Sequence, residues 1–246
     1  MTTFREAFEA IRHTEVVEAA KWLPNRTDVL ELGGGDGFQA RILSELGYRV
    51  ESIDVAPREP QVFPVKRYDG DTIPFADATF DCVFSSNVLE HVVNLERTFS
   101  ELRRVLKPGG IGVHLVPTPA WRFWTTVTHY PRLIRTVPSK LARGESPRPS
   151  PTPGPPSRTS RSAAVLRIFG LDPHGEHRTA VEELYYFSQV RWRRAFLANG
   201  FGIEQSSPGR LFYTGHLMLP NVSLAARRHL STLLGSACRV FVTRRA

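Results

Sequence analysis

The chain has 246 residues, 41% of them hydrophobic and 23% charged, and a net charge of +8. That suits one globular domain with a full core, and no apolar run reaches the roughly 20 residues that span a bilayer. The first 22 residues carry Arg and Glu throughout and lack the apolar centre of a secretory signal. Cys82 and Cys238 both sit in apolar, strand-like runs. Buried free thiols in a reducing, cytoplasmic compartment are the expectation.

Apolar residues at helical spacing from Phe4 to Trp22 predict one or two helices that end before Pro24. Asp28–Leu32 reads as the first strand and Phe38–Leu46 as a helix. Arg49–Asp54 is the second strand, and Gln61–Tyr68 is a short, ambiguous third. Phe80–Ser85 is a fourth strand. Leu95–Leu106 is a helix that stops at Lys107-Pro108-Gly109-Gly110, and Ile111–Val116 is the next strand. Strands alternating with helices predict a parallel, doubly wound α/β sheet.

The alternation breaks after Pro117. Between Thr118 and Gly170 nine basic residues face one acid, Glu145. That block fits an anionic or phosphorylated partner and equally a solvated arginine-rich loop. Residues 145–162 are rich in Pro, Ser and Gly and predict a flexible linker inside an insertion, not a second core. Val181–Asn199 reads as helix, and Gly200–Ser206 and Ser236–Thr243 as two last strands. The basic and apolar residues of 224–245 allow peripheral contact with anionic lipid; the alternative is a helix followed by the last core strand.

The densest signal is Val29-Leu-Glu-Leu-Gly-Gly-Gly-Asp-Gly37. An apolar strand stops at Glu31, and Gly33, Gly35 and Gly37 follow at alternate positions, where a ligand can approach bare backbone. A dinucleotide fingerprint needs its third glycine where Phe38 stands. Glu31 is also unsuited to a pyrophosphate, and no Lys-Ser/Thr follows as in a P-loop. The site avoids phosphate and suits a ligand with a cationic or amino end and a ribose. Asp54 ends the second strand 21 residues after Gly33, where a carboxylate accepts from two ribose hydroxyls. Asp69, with Gly70 beside it, ends the next strand and can accept from an adenine amino group; Asp71 competes for that role.

Four stretches, ELGGGDG at 31–37, SIDVA at 52–56, DGDTIPFADATFDCVFSSNVLEHV at 69–92 and LKPGG at 106–110, together resemble the class I methyltransferases that use S-adenosylmethionine. The resemblance is to their subset with a PF…D..FD…S..VLEHV signature. It covers about 24–116 strongly and 188–243 weakly. It implies one methyltransferase domain over 1–246, with a Rossmann-like seven-stranded sheet, an antiparallel last strand and a helix before strand 1 that covers the cofactor. A substrate-side insertion or lid at 118–187 lies outside the shared core. Carried over by position, Glu31, Gly33, Gly35 and Gly37 surround the aminoacyl end of S-adenosylmethionine. Asp54 meets the ribose, Asp69 and Gly70 the adenine, and Ser85, Ser86 and Asn87 the methionine portion.

Methyl transfer from a sulfonium is an in-line displacement in which positioning and desolvation do most of the work. A hydroxyl acceptor needs a base or a metal as well. The base candidates are His129, in an aromatic run after strand 5, and the cluster His174, Glu176 and His177. His114, inside strand 5, reads as a packed histidine. No carboxylate–histidine set has recognisable metal-ligand spacing, so no metal is expected. The fourth strand ends in Ser-Ser-Asn-Val and lacks the Asn/Asp-Pro-Pro-aromatic run that resembling families direct at nucleic-acid bases. A small-molecule acceptor is expected, methylated on a hydroxyl of a sugar, glycan precursor or secondary metabolite. RNA methylation and non-catalytic cofactor binding at a membrane are the rival readings.

Overall fold

A computed structural model describes residues 3–128, 180–215 and 221–245. Its elements are α1 (Phe4–Ala20), β1 (Asp28–Leu32), α2 (Phe38–Glu45), β2 (Arg49–Asp54), β3 (Lys66–Arg67) and β4 (Phe80–Ser86). A single 3-10 turn, Leu89–His91, leads into α3 (Leu95–Val105) and β5 (Leu106–Pro117). Residues 119–128 are helical (α4). After the gap come α5 (Ala180–Tyr186), α6 (Gln189–Ala198), β6 (Phe201–Pro208), α7 (Leu224–Leu234) and β7 (Cys238–Arg245).

The strands form one seven-stranded sheet in the order β3-β2-β1-β4-β5-β7-β6. β1 to β5 run parallel, while β7 lies antiparallel between β5 and β6. The chain reverses its strand order between β1 and β4. That leaves a crevice beyond the carboxyl ends of the strands, where doubly wound sheets bind ligands. Alternation along β1 sends Leu30 and Leu32 to one face and Val29 and Glu31 to the other. The first face packs on α3 and α6 through Phe99, Leu102 and Phe196. The second packs on α1 and α2 through Val16, Ala19, Ile42 and Leu43.

Two elements are shorter than the sequence predicts. The third strand is only Lys66–Arg67, because Pro60 and Pro64 flank or interrupt the expected run and cannot donate to a ladder. The helix expected over Val181–Asn199 is two helices. Ser188 adopts extended backbone and its hydroxyl accepts from the Arg191 amide at 3.3 Å, capping α6 and ending α5. The Lys107–Gly110 stop behaves as expected. Leu106 caps α3, and the pairing register with β4 slips between Phe80 and Cys82 to absorb the glycines before Ile111. The stretch 224–245 is a helix followed by a core strand.

Most of the insertion, including the linker expected at 145–162, lies outside the described residues. Its flanks are α4 and α5, joined by the ion pair of Arg122 Nε with Glu183 Oε2 at 2.7 Å. Both side chains are almost fully buried, so removing one leaves an uncompensated interior charge. Glu183→Leu should lower the unfolding free energy by about 3–5 kcal/mol, read from the midpoint of urea denaturation.

Candidate active site

The glycine turn is built on β1 and β2 together. The amides of Gly33 and Gly34 both donate to the Ile53 carbonyl, at 2.8 and 3.1 Å. The Gly35 amide donates to Asp54 Oδ2 at 2.8 Å, and the Ala56 amide holds Oδ1 at 2.8 Å. Asp54 is therefore fixed by one backbone donor on each oxygen, with lone pairs left for a ligand. A Cβ on Gly34 would lie 1.9 Å from Ser52 Oγ, so only glycine lets the turn lie this close to β2. A Cβ on Gly33 would lie 2.2 Å from Val88 Cγ2, which puts the turn after β4 directly against the glycine turn.

Above these strand ends lies a cavity of about 630 Å³. Seven of the ten residues expected to contact the cofactor line it: Gly33, Gly35, Asp54, Asp69, Gly70, Ser86 and Asn87. The other three sit behind its surface. Glu31 is buried, and its Oε2 accepts from Ser52 Oγ at 2.5 Å beneath Gly34; burial pushes its carboxyl up to about 7. Gly37 is the left-handed residue that starts α2 and packs against Phe63. Ser85 is fully buried, with its Oγ 2.8 Å from His114 Nδ1. Its neighbour Ser86 points the other way and lines the cavity.

Asp69 is held below the usual carboxylate range by the amides of Thr72 and Asp71, which donate to its Oδ1 at 2.8 and 2.9 Å. Asp71, the competing residue, also lines the cavity and pairs with Arg97 at 3.3 Å. Asn87 adopts left-handed backbone, with φ 55°, where β4 ends. Its carboxamide donates to Ser86 Oγ and accepts from the Cys238 thiol. A non-glycine residue in this conformation at a cavity wall is a common mark of function.

Several cavity residues carried no sequence signal of their own. Phe8 and Arg12 reach it from α1, Gln39 from α2, Arg58 from the loop after β2, and His91 from the turn after β4. The helix before strand 1 was expected to cover the site, but its spacing could not say which residues would turn inward. The base candidates His129, His174, Glu176 and His177 lie outside the described residues. Among the described residues no group of three or more His, Cys, Asp and Glu is arranged to hold a metal. None of the described helices is long and apolar enough to cross a membrane.

The comparisons agree with this architecture. The model of the methyltransferase domain family matches residues 30–113. An uncharacterised methyltransferase of Mycobacterium sp. (strain KMS) is 36% identical over 102 residues, or 39% of this chain and 40% of that protein. The match thus spans about two-fifths of the length of the curated relatives. An S-adenosylmethionine-dependent methyltransferase from Mesorhizobium loti superposes with a TM-score of 0.53 at 17% identity, covering 94% of this chain and 98% of that one. The 1,6-didemethyltoxoflavin-N1-methyltransferase of Burkholderia thailandensis, solved with its acceptor and S-adenosylhomocysteine, gives 0.54 at 14% identity over 97% and 79%. The chain thus carries a match to the methyltransferase domain family over residues 30–113 and shares the fold of S-adenosylmethionine-dependent methyltransferases.

His114 is a core histidine. It stacks on Phe196 with ring centroids 5.1 Å apart, and burial pushes it down to about 3. A histidine whose folded pKa lies below its unfolded value of about 6.5 favours unfolding once it protonates. Its contribution is whole above pH 6.5 and is lost as the pH falls toward 3. The melting-temperature gap between wild type and His114→Asn should therefore narrow as the pH is lowered from 7 to 4.

Proposed function

We propose that this chain transfers the methyl group of S-adenosylmethionine to a small-molecule acceptor, on a hydroxyl of a sugar, glycan precursor or secondary metabolite. The observation that carries the donor is Asp54, pinned across the glycine turn by the Gly35 and Ala56 amides with its remaining lone pairs open to the cavity. A carboxylate so held suits a ribose diol and repels a phosphate.

In this reading Gly33, Gly35 and Asn87 take the methionine portion, and Asp69 with Gly70 takes the adenine. Glu31, Gly37 and Ser85 act from behind the surface. Glu31 sets the turn through Ser52, Gly37 starts α2, and Ser85 anchors the end of β4 on His114. When bound, S-adenosylmethionine supplies the electrophilic methyl. The chain's own part is to orient that group and exclude water from it. A small acceptor accords with the substrate for which the Burkholderia enzyme is named and with the Ser-Ser-Asn-Val end of β4 in place of a Pro-Pro-aromatic run. An anionic or phosphorylated acceptor accords with the basic residues of 118–170.

Calorimetric titration tests the donor. Wild type should bind S-adenosylmethionine with micromolar affinity, and Asp54→Ala should weaken it about 10- to 100-fold, the worth of one or two hydrogen bonds to a charged group. Absence of binding by wild type at millimolar ligand would end this reading.

A further inference from the structure

The wall of the cavity is uneven in charge. Asp54, Asp69 and Asp71 are its acids, and Arg12, Arg58 and His91 are its basic side chains. Of the three basic groups, Arg12 is the one that the fold builds in. Its side chain is 15% exposed, against 73% for Arg58 and 42% for His91. Its Cζ lies 5.2 Å from the centroid of the Phe8 ring and 5.9 Å from that of Tyr213, so the guanidinium rests on two aromatic rings. Arg12 Nη1 donates to Glu15 Oε2 at 2.8 Å, and the Tyr213 hydroxyl donates to the other oxygen of Glu15 at 2.9 Å. Glu15 is buried and does not line the cavity, so it braces Arg12 from behind. Among the described residues this is the one hydrogen bond of the Arg12 side chain, and a guanidinium has five N–H groups to give.

The same braces fix where Arg12 stands. The Tyr213 hydroxyl lies 3.0 Å from Cys238 Sγ, and that thiol donates to Asn87 Oδ1 at 3.3 Å. Arg12, Glu15, Tyr213, Cys238 and Asn87 are therefore consecutive contacts, and Arg12 belongs to the Asn87 end of the cavity. Glu90, in the turn after β4, also acts on Arg12 electrostatically. Asp69 marks the other end: it follows β3, and β2 and β1 stand between that strand and β4, which leads to Asn87. A ligand lying along the strand ends thus has acids at one end and a buried arginine at the other.

We propose that Arg12 binds the α-carboxylate at the amino-acid end of the donor and makes the site select S-adenosyl amino acids over their decarboxylated forms. The proposal rests on the reading of S-adenosylmethionine as donor, with adenine at Asp69 and ribose at Asp54. A carboxylate that enters the cavity gives up its hydration and needs donors in exchange. Beside Asp54, Asp69 and Asp71 it would meet like charge. At the Asn87 end it meets the open N–H groups of Arg12, whose planar fork matches both of its oxygens. Glu15 and Tyr213 hold that fork in place before the ligand arrives, so little side-chain freedom is lost on binding. An anionic group on the acceptor would offer Arg12 the same chemistry, and the experiment separates the two sources.

Two ligands that differ by one carboxylate test this without knowledge of the acceptor: S-adenosylhomocysteine and its decarboxylated form, S-adenosyl-3-thiopropylamine. Calorimetry should show wild type binding the first about 10- to 100-fold tighter than the second. Arg12→Gln should bring the two within about three-fold by weakening S-adenosylhomocysteine alone. Arg12→Gln also strips Glu15 of its cation, so the double variant Arg12→Gln with Glu15→Gln, which removes both buried charges, should lose the preference equally and melt closer to wild type. Arg12→Lys, which keeps the charge without the fork, should retain part of the preference. Four results would overturn the proposal. They are no preference in wild type, a preference that survives both glutamine variants and so leaves Arg12 to the acceptor, equal weakening of both ligands, and a preference lost instead in Arg58→Gln. If wild type binds neither ligand, the donor reading itself fails, and that outcome is distinct from all four.

Discussion

The site depends on how closely the Gly33–Gly34 backbone lies against β2. Two consecutive amides share the Ile53 carbonyl, and Gly34 rides on the Ser52–Glu31 pair with no room for a Cβ. This contact fastens the end of β1 to the end of β2, so the Gly35 amide arrives on Asp54 at 2.8 Å. It also brings the next turn in: Val88 fills the space that a Gly33 side chain would take. One close approach thus sets the relative positions of Asp54, Asn87 and the Glu90 turn. Asp54 ends a different strand from the one that carries the other two.

The carboxylates of the site show how donors, not residue type, decide chemical character. Asp69 sits at the surface with two amides on one oxygen and is held ionised. Glu31 has one hydroxyl donor and is buried, and burial wins by pushing it up to about 7. Glu90 is fully buried, and burial outweighs its own backbone amide and the charge of Arg12 to push it further, to about 8. The order follows the number of hydrogen bonds offered to the charged form against the desolvation of each group. Three acids near one cavity therefore differ in how readily each holds its charge near neutral pH.

The sheet and the donor half of the site were legible because they rest on local rules. Apolar runs of strand length, a glycine turn and a carboxylate one strand further on are patterns of a few residues each. Alternation could also have separated Ser85 from Ser86. Val83 and Ser85 share one face of β4, and Phe84 and Ser86 share the other; both faces are packed, and Ser86 meets the cavity because it stands at the strand's end. What could not be read depends on how elements pack. The face of α1 that offers Phe8 and Arg12 to the cavity is set by where Glu15 meets Tyr213, 198 residues away. Ser188 ends α5 through a cap that competes with an otherwise continuous helical pattern.

Glu90 illustrates the limit best. Within Val-Leu-Glu-His-Val it serves as part of a family signature, and its spacing says nothing about chemistry. Its meaning emerges only when α1 and β7 close over it. Then Arg12 is found already engaged by Glu15 and Cys238 directed to Asn87, and burial pushes the carboxyl up to about 8. The donor side of the cavity is completed by backbone amides that any chain with this turn possesses. The opposite side is completed by side chains from α1 and the turn after β4, among them Phe8, Arg12 and His91, which come together only when the helix packs over the strand ends.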